Sequence, residues 1–215
     1  MTARALYFHG FASSARSQKV EALSKLLEPD VILDAPDMNV PSFERLEFDA
    51  MVTFALDRAR ANPPDAIVGS SLGSLIALEI VRRGVHAPLV LIAPGVGIKK
   101  RWTSRIADGD PVSVFNHALN GPALIHRAFF EHMNEVSPES QPPAVPVTVI
   151  MGTNDETIPF AIVRDVWQDW EQSGRLREGS RFIEIENGDH GLVGHVDTIA
   201  REIRAAVSMH EVKPH

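Results

Sequence analysis

Short apolar runs alternate with longer amphipathic segments along most of the chain. A few consecutive apolar residues are typical of a strand buried on both faces, and such runs occur at residues 5–8, 31–33, 66–68, 88–93, 145–151 and 181–185. Apolar residues three or four positions apart predict helices, here at residues 17–28, 42–61, 72–83, 160–172 and 197–208. This alternation predicts an α/β protein with a doubly wound, mostly parallel sheet of about six strands.

The alternation stops over residues 95–143. A connection of this length exceeds the usual loop and should carry structure of its own. Its apolar side chains predict a small helical cap inserted into a single domain that spans residues 1–215. The aromatic members fit an apolar acyl pocket and the packing of the cap on the sheet equally well; they are Trp102, Phe115, Phe129 and Phe130.

Composition excludes several kinds of chemistry. The 215 residues include no cysteine, which rules out disulfides, a thiolate nucleophile, an iron–sulfur cluster and a cysteine zinc site. The chain has 21 Lys and Arg against 28 Asp and Glu, and the net charge of −7 disfavours nucleic acid as a partner. No apolar run approaches the ~20 residues of a membrane span, and the amino terminus lacks a signal-peptide pattern. We therefore expect a cytoplasmic protein without a membrane span, of unspecified oligomeric state.

The segment Gly69–Gly73 matches the pattern G-x-S-x-G between a predicted strand and a predicted helix. In that setting a sharp turn lifts the central serine, Ser71, off the sheet, and glycines at positions 69 and 73 avoid a clash of Cβ atoms. The following helix directs its amino-terminal N–H groups at the reaction site. An ordinary Gly/Ser turn also fits the five residues, but the flanking elements favour a nucleophile elbow.

A serine nucleophile needs a base and an acid on the same edge of the sheet. His190 follows the last predicted strand and is the preferred base, with His195 as its rival. Asp155 follows the fifth predicted strand and is the preferred acid, with Glu156 and Asp189 as alternatives, and a plain turn residue is the other reading of Asp155. The chain order serine, aspartate, histidine is the one expected for this elbow.

Acyl transfer also needs hydrogen-bond donors for the developing oxyanion. The backbone N–H of Leu72 follows the nucleophile and is one candidate. The loop after the first strand supplies the second, for which we select the backbone N–H of Phe11. Gly10 permits a sharp turn there, and His9 is expected to brace the loop.

These motifs resemble those of α/β-hydrolase-fold serine hydrolases and, within that superfamily, the small YqiA-like esterases. The motifs that carry the resemblance are Tyr7–Phe11, Ser13-Ser14, Ser17–Lys19, Gly69–Gly73, Asn154–Glu156 and Gly188–His190. Ser74 and Asn154 stand where that group usually has glycine, and residues 95–143 have no recognisable match. These departures concern the substrate rather than the predicted triad.

The resemblance implies hydrolysis of a small-molecule ester or thioester through an acyl-enzyme, with no metal and no organic cofactor. Other enzymes with the same triad are amidases, carbon–carbon bond hydrolases and acyltransferases, because function lies in the pocket rather than in the fold. A non-catalytic ligand-binding member of the fold is a further alternative. The natural substrate and its acyl length are not specified by these motifs.

Overall fold

Eight strands occur in the described part of the chain, residues 2–97 and 109–211 of a computed structural model. They are β1 (Ala3–Phe8), β2 (Val31–Asp34), β3 (Ala66–Ser70), β4 (Leu89–Ile92), β5 (Val112–Asn116), β6 (Gly121–Ile125), β7 (Val147–Gly152) and β8 (Arg181–Ile185). Six of them form one sheet in the order β2-β1-β3-β4-β7-β8, in which every neighbouring pair is parallel. The predicted doubly wound sheet is confirmed, and the carboxyl ends of its strands meet at one edge, where open α/β sheets hold their sites.

Helices cover both faces of this sheet. They are α1 (Gln18–Leu27), α2 (Phe48–Ala61), α3 (Leu72–Arg82), α4 (Arg127–Met133), α5 (Phe160–Gln172) and α6 (Val196–Glu211), with 3-10 turns at Pro138–Ser140 and Val193–His195. Helix α3 lies against β1, β3 and β4 and packs on α2, whereas α6 lies against the same strands and packs on α1. Every residue of the central strands β3, β4 and β7 is buried, as two covered faces require. No described helix has the length and apolar character needed to cross a membrane.

The inserted segment is not wholly helical, which corrects the predicted cap. Strands β5 and β6 pair as an antiparallel hairpin, and α4 is the short helix that follows. Buried Val112 and Val114 alternate with exposed neighbours, a period of two that signals a strand. The dipeptide Asn120-Gly121 is typical of the turn of a hairpin, where positive φ is required, and Asn120 has a φ of 50°. Trp102, also assigned to the cap, lies outside the described residues.

The hairpin and α4 rest on the loop that follows β1. The backbone N–H of His117 donates to the carbonyl of Ala12 at 2.9 Å. Phe11 stacks on Phe129 with ring centroids 5.8 Å apart and meets Phe130 edge-on at 6.0 Å. Both α4 phenylalanines are buried, so they pack the insertion onto the domain, and Phe115 is exposed instead. The insertion thereby covers one side of the sheet edge.

Candidate functional site

Ser71 occupies a strained turn between β3 and α3. Its backbone lies at φ 52° and ψ −118°, a conformation rarely adopted by residues with a side chain and found where a fold constrains a functional group. The turn requires close backbone contact, because a Cβ on Gly73 would lie 2.1 Å from the carbonyl oxygen of Phe8 and one on Gly69 would lie 2.5 Å from Cα of Ser74. The buried Ser74 hydroxyl closes the turn by donating to the Gly69 carbonyl at 2.8 Å.

Ser71, His190 and Asp155 form a continuous line of hydrogen bonds. The Ser71 hydroxyl lies 3.1 Å from His190 Nε2, and His190 Nδ1 lies 2.7 Å from Asp155 Oδ2. The geometry assigns Nδ1–H as donor to the carboxylate and leaves Nε2 free to accept the serine proton. Residues 119 positions apart in the chain are thus brought within hydrogen-bond distance at the predicted sheet edge.

The Asp155 carboxylate is held rigidly by its own loop. Its side chain is fully buried, and Oδ1 accepts the backbone N–H groups of Thr157 and Ile158, each at 2.8 Å. Oδ2 therefore remains for His190. The two other carboxylates considered for this position are placed differently from Asp155. Glu156 is exposed to solvent, and the Asp189 carboxylate accepts the backbone N–H of Leu192. The rival base His195 lies in the 3-10 turn that precedes α6.

Two glycines, for which the sequence predicts no role, bring the loops of Asp155 and His190 together. A Cβ on Gly152, the last residue of β7, would lie 2.2 Å from the carbonyl oxygen of Gly188. The Gly188 carbonyl also accepts the backbone N–H of Asn154 at 3.0 Å. Because Asp155 and His190 follow these contacts directly, the close approach of the two backbones sets the distance between the carboxylate and the imidazole.

The loop after β1 lies against the nucleophile. A Cβ on Gly10 would lie 3.1 Å from Cβ of Ser71. His9 is buried, and its Nε2 accepts the backbone N–H of Met38 at 2.9 Å, so that Nδ1 carries the hydrogen and donates to the carbonyl of Gly10 at 2.9 Å. In a trans peptide the C=O and N–H point in opposite directions. The His9 contact therefore orients the N–H of Phe11 as well as the Gly10 carbonyl.

A cavity of about 890 Å³ opens above Ser71 and His190. The β1 loop lines it with Phe11, Ser13 and Ser14, and the hairpin contributes His117. Leu72, the first residue of α3, has a backbone N–H with no acceptor inside its own helix. The site therefore combines a serine hydroxyl hydrogen-bonded to a histidine with room for a small organic molecule.

Lys19 also lines this cavity, although its position near the start of an amphipathic helix is typical of a solvated lysine. Its Nζ donates to the Ser70 hydroxyl at 3.1 Å. Burial lowers the pKa of Lys19 to about 8. The negative charges of Asp189 and Asp155 raise this pKa, but by less than burial lowers it. Burial likewise raises the pKa of Tyr7 to about 12, partly offset by its hydrogen bond with Ser70.

Metal binding has no support in the described ranges. Within residues 2–97 and 109–211, no group of three or more His, Asp or Glu side chains is arranged to hold a metal ion.

Sequence comparison places nearly the whole chain in one family. The profile of UPF0227, described as an uncharacterised protein family, matches residues 4–207. No curated protein matches the chain in sequence.

Solved structures of similar fold are α/β-hydrolase proteins of low sequence identity. Est1E from Butyrivibrio proteoclasticus, determined with ferulic acid bound, has a TM-score of 0.76 and 15% identity, with 98% of this chain and 90% of that chain covered. The esterase domain of a Rhodothermus marinus protein has a TM-score of 0.67 and 19% identity, with 96% and 85% covered. The monoacylglycerol lipase of Paleococcus ferrophilus has a TM-score of 0.69 and 14% identity, with 97% and 96% covered. At such identities the likeness establishes the fold alone.

We predict that Gly152→Ala destabilises the protein, because the new methyl group meets the Gly188 carbonyl and forces the two loops apart. Backbone overpacking of this kind costs about 1–3 kcal/mol or more, and each kcal/mol lowers Tm by about 2–4 °C in a domain of this size. Thermal unfolding followed by circular dichroism measures the change.

Gly194→Ala is the matched control, since a Cβ at Gly194 meets no atom within 4 Å. Its Tm should stay within about 1 °C of the parent value. Equal Tm values for the Gly152→Ala and Gly194→Ala variants would contradict the assigned role of the Gly152–Gly188 contact.

Proposed function

Because this chain belongs to the UPF0227 family and has the α/β-hydrolase fold, we propose that it is a serine hydrolase that cleaves carboxylic esters. The single observation that carries the proposal is the hydrogen-bonded line from Ser71 Oγ through His190 to the buried carboxylate of Asp155. A serine held in a strained turn beside a histidine base is expected in an enzyme and is not expected in a non-catalytic member of the fold. Thioesters share the same chemistry and belong to the proposed substrate class.

In the first half of the reaction, Ser71 Oγ attacks the ester carbonyl while His190 Nε2 takes the serine proton. The imidazolium formed is stabilised by the Asp155 carboxylate, whose oxygens accept three hydrogen bonds that fix it in place. His190 then returns the proton to the alcohol oxygen of the collapsing tetrahedral intermediate. The C–O bond breaks, the alcohol leaves, and the acyl group remains on Ser71.

In the second half, a water molecule replaces the alcohol. His190 removes a proton from this water as it attacks the acyl carbonyl, and then donates that proton to Ser71 Oγ as the acid is released. The enzyme is regenerated, and one ester plus one water give one acid plus one alcohol. No cofactor enters this scheme.

Both tetrahedral intermediates carry a negative oxygen that needs donors. We assign the backbone N–H groups of Leu72 and Phe11 to it, on the support of the α3 amino terminus and of the contact between Gly10 and Ser71. His9 acts as a positioning residue in this scheme, since its bond to the Gly10 carbonyl orients the Phe11 N–H.

The names of the similar proteins support an ester substrate over the alternatives. They include an esterase domain and a monoacylglycerol lipase. Amide, carbon–carbon and acyl-transfer chemistry use the same triad, but no contact in the described residues favours them over ester hydrolysis.

We predict that Ser71→Ala lowers kcat for p-nitrophenyl butyrate by about 10⁴–10⁶, the range seen when a triad serine is lost. The fold should persist, because alanine removes only the hydroxyl. Stopped-flow absorbance gives kcat, and circular dichroism checks the fold. Ser113→Ala, at an exposed position of the hairpin, should leave kcat unchanged. A folded Ser71→Ala variant that keeps a tenth of the parental kcat would overturn the proposal.

We further predict that His9→Gln lowers kcat about 10–100-fold with little change in KM, because a misplaced oxyanion donor weakens the transition state more than the ground state. His9→Asn should retain much more activity, since an asparagine amide lies near the position of the imidazole Nδ1 and can still donate to the Gly10 carbonyl. Steady-state kinetics on both variants test this. Equal loss of kcat in the two, in step with equal loss of Tm, would indicate a purely structural histidine.

A further inference from the structure

The buried amino group of Lys19 has no function in the scheme above. It lines the same cavity as Ser71, and its hydrogen-bond partner Ser70 is the residue directly before the nucleophile. An ammonium group in that position lies within the cavity that a substrate of Ser71 would occupy. It is therefore a group that can select among substrates.

The charge of Lys19 is incompletely matched by the protein. Its bond to Ser70 is made with a neutral hydroxyl, and among the described residues no carboxylate forms an ion pair with it. The two carboxylates that influence it, Asp155 and Asp189, already accept hydrogen bonds from His190 and Leu192. A lysine ammonium has three donors, and a buried charge is costly unless an opposite charge accompanies it. An anion in the cavity would meet that need.

The surroundings of Lys19 favour a negative group. Helix α1, ten residues long, begins beside it with Ser17 as the capping residue, and its amino terminus carries the positive end of the helix dipole. Arg16 lines the same wall of the cavity and adds a second positive charge at an exposed position. Ser13 and Ser14 also line the cavity.

We propose that Lys19 is a specificity residue that binds a negatively charged group of the substrate, so that the preferred substrates are esters bearing a carboxylate or a phosphate-type group. This inference rests on the proposed function and names its substrate class. The ammonium donates hydrogen bonds to the anion while Ser71 attacks the ester carbonyl, and Arg16 strengthens the attraction at the mouth of the cavity.

The kinetic test compares substrates that differ in charge alone. Mono-p-nitrophenyl glutarate carries a free carboxylate, and its methyl ester is the neutral counterpart. The parent protein should have a kcat/KM at least about tenfold higher for the anionic ester, as expected for a partly desolvated charge pair. A p-nitrophenyl ester of 4-phosphonobutyrate is the second anionic substrate. The preferred anion is the one whose ester has the higher kcat/KM relative to the neutral ester. A ratio of one for both anionic esters overturns the proposal.

Variants of Lys19 identify the residue responsible. Lys19→Met should remove the preference through a higher KM for the anionic ester, so that the anionic-to-neutral ratio of kcat/KM falls to about one. Lys19→Arg should restore most of the preference, because it keeps the charge. Lys25→Met, at an exposed position of the same helix, is the matched control and should keep the parental ratio. An unchanged ratio in a folded Lys19→Met variant contradicts the proposal.

The preference should also depend on pH. Because the pKa of Lys19 is about 8, the anionic-to-neutral ratio of kcat/KM should fall as the pH rises through about 8 and the ammonium loses its proton. The charged or titratable groups around Lys19 and its cavity include Tyr7, Arg16, His117, Asp155, Asp189 and His190. A change in the reactivity of Ser71 affects both esters alike and cancels in the ratio, and Tyr7, with its pKa of about 12, stays neutral over this range. A ratio that is constant from pH 7 to 9 would count against Lys19.

Binding without turnover separates this proposal from the proposed function. The glutarate monomethyl ester, titrated calorimetrically into the Ser71→Ala variant, should bind at least about tenfold more tightly than dimethyl glutarate. Adding Lys19→Met should abolish the difference. If this difference is found but no ester is cleaved by the parent, the hydrolase proposal fails and the anion site stands. If esters are cleaved and the difference is absent, the anion site fails.

Discussion

The close packing of backbone at the turn between β3 and α3 is the constraint on which the site depends. Gly73 lies so near the Phe8 carbonyl, and Gly69 so near Ser74, that a larger residue at either position would separate the strand from the helix. This packing forces Ser71 into its positive φ. The buried strands on either side hold Ser71 in this strained conformation. The packing of the whole core therefore offsets the conformational energy of the turn.

Close approaches at glycine residues also position the other segments of the site. Gly10 lies close to Ser71, and Gly152 lies close to the Gly188 carbonyl, so four segments at the carboxyl edge of one parallel sheet are held together in two close pairs. Hydrogen bonds then hold the side chains of Asp155 and His190 in their positions. Asp155 illustrates this, since two backbone N–H groups hold one oxygen and His190 takes the other.

Local pattern predicted the parts of this structure that depend on neighbours in the chain. The buried strands, the strand–turn–helix around Ser71 and the order of serine, aspartate and histidine are of this kind. The alternation of β5 and β6 does not predict the hairpin, because the outward positions also carry apolar residues, the exposed Phe115 and Leu124. The Gly152–Gly188 contact and the inward position of Lys19 arise from tertiary packing between distant segments, which spacing in the sequence does not encode.

The central claim is that Ser71, among several serines around one cavity, is activated by His190. Reaction with a fluorophosphonate, followed by peptide mapping with mass spectrometry, measures this directly because the reagent stays on the activated oxygen. We expect one phosphonyl group per chain, located on Ser71. Stoichiometric modification of Ser13, Ser14 or Ser70 instead, or no modification of the folded protein, would contradict it.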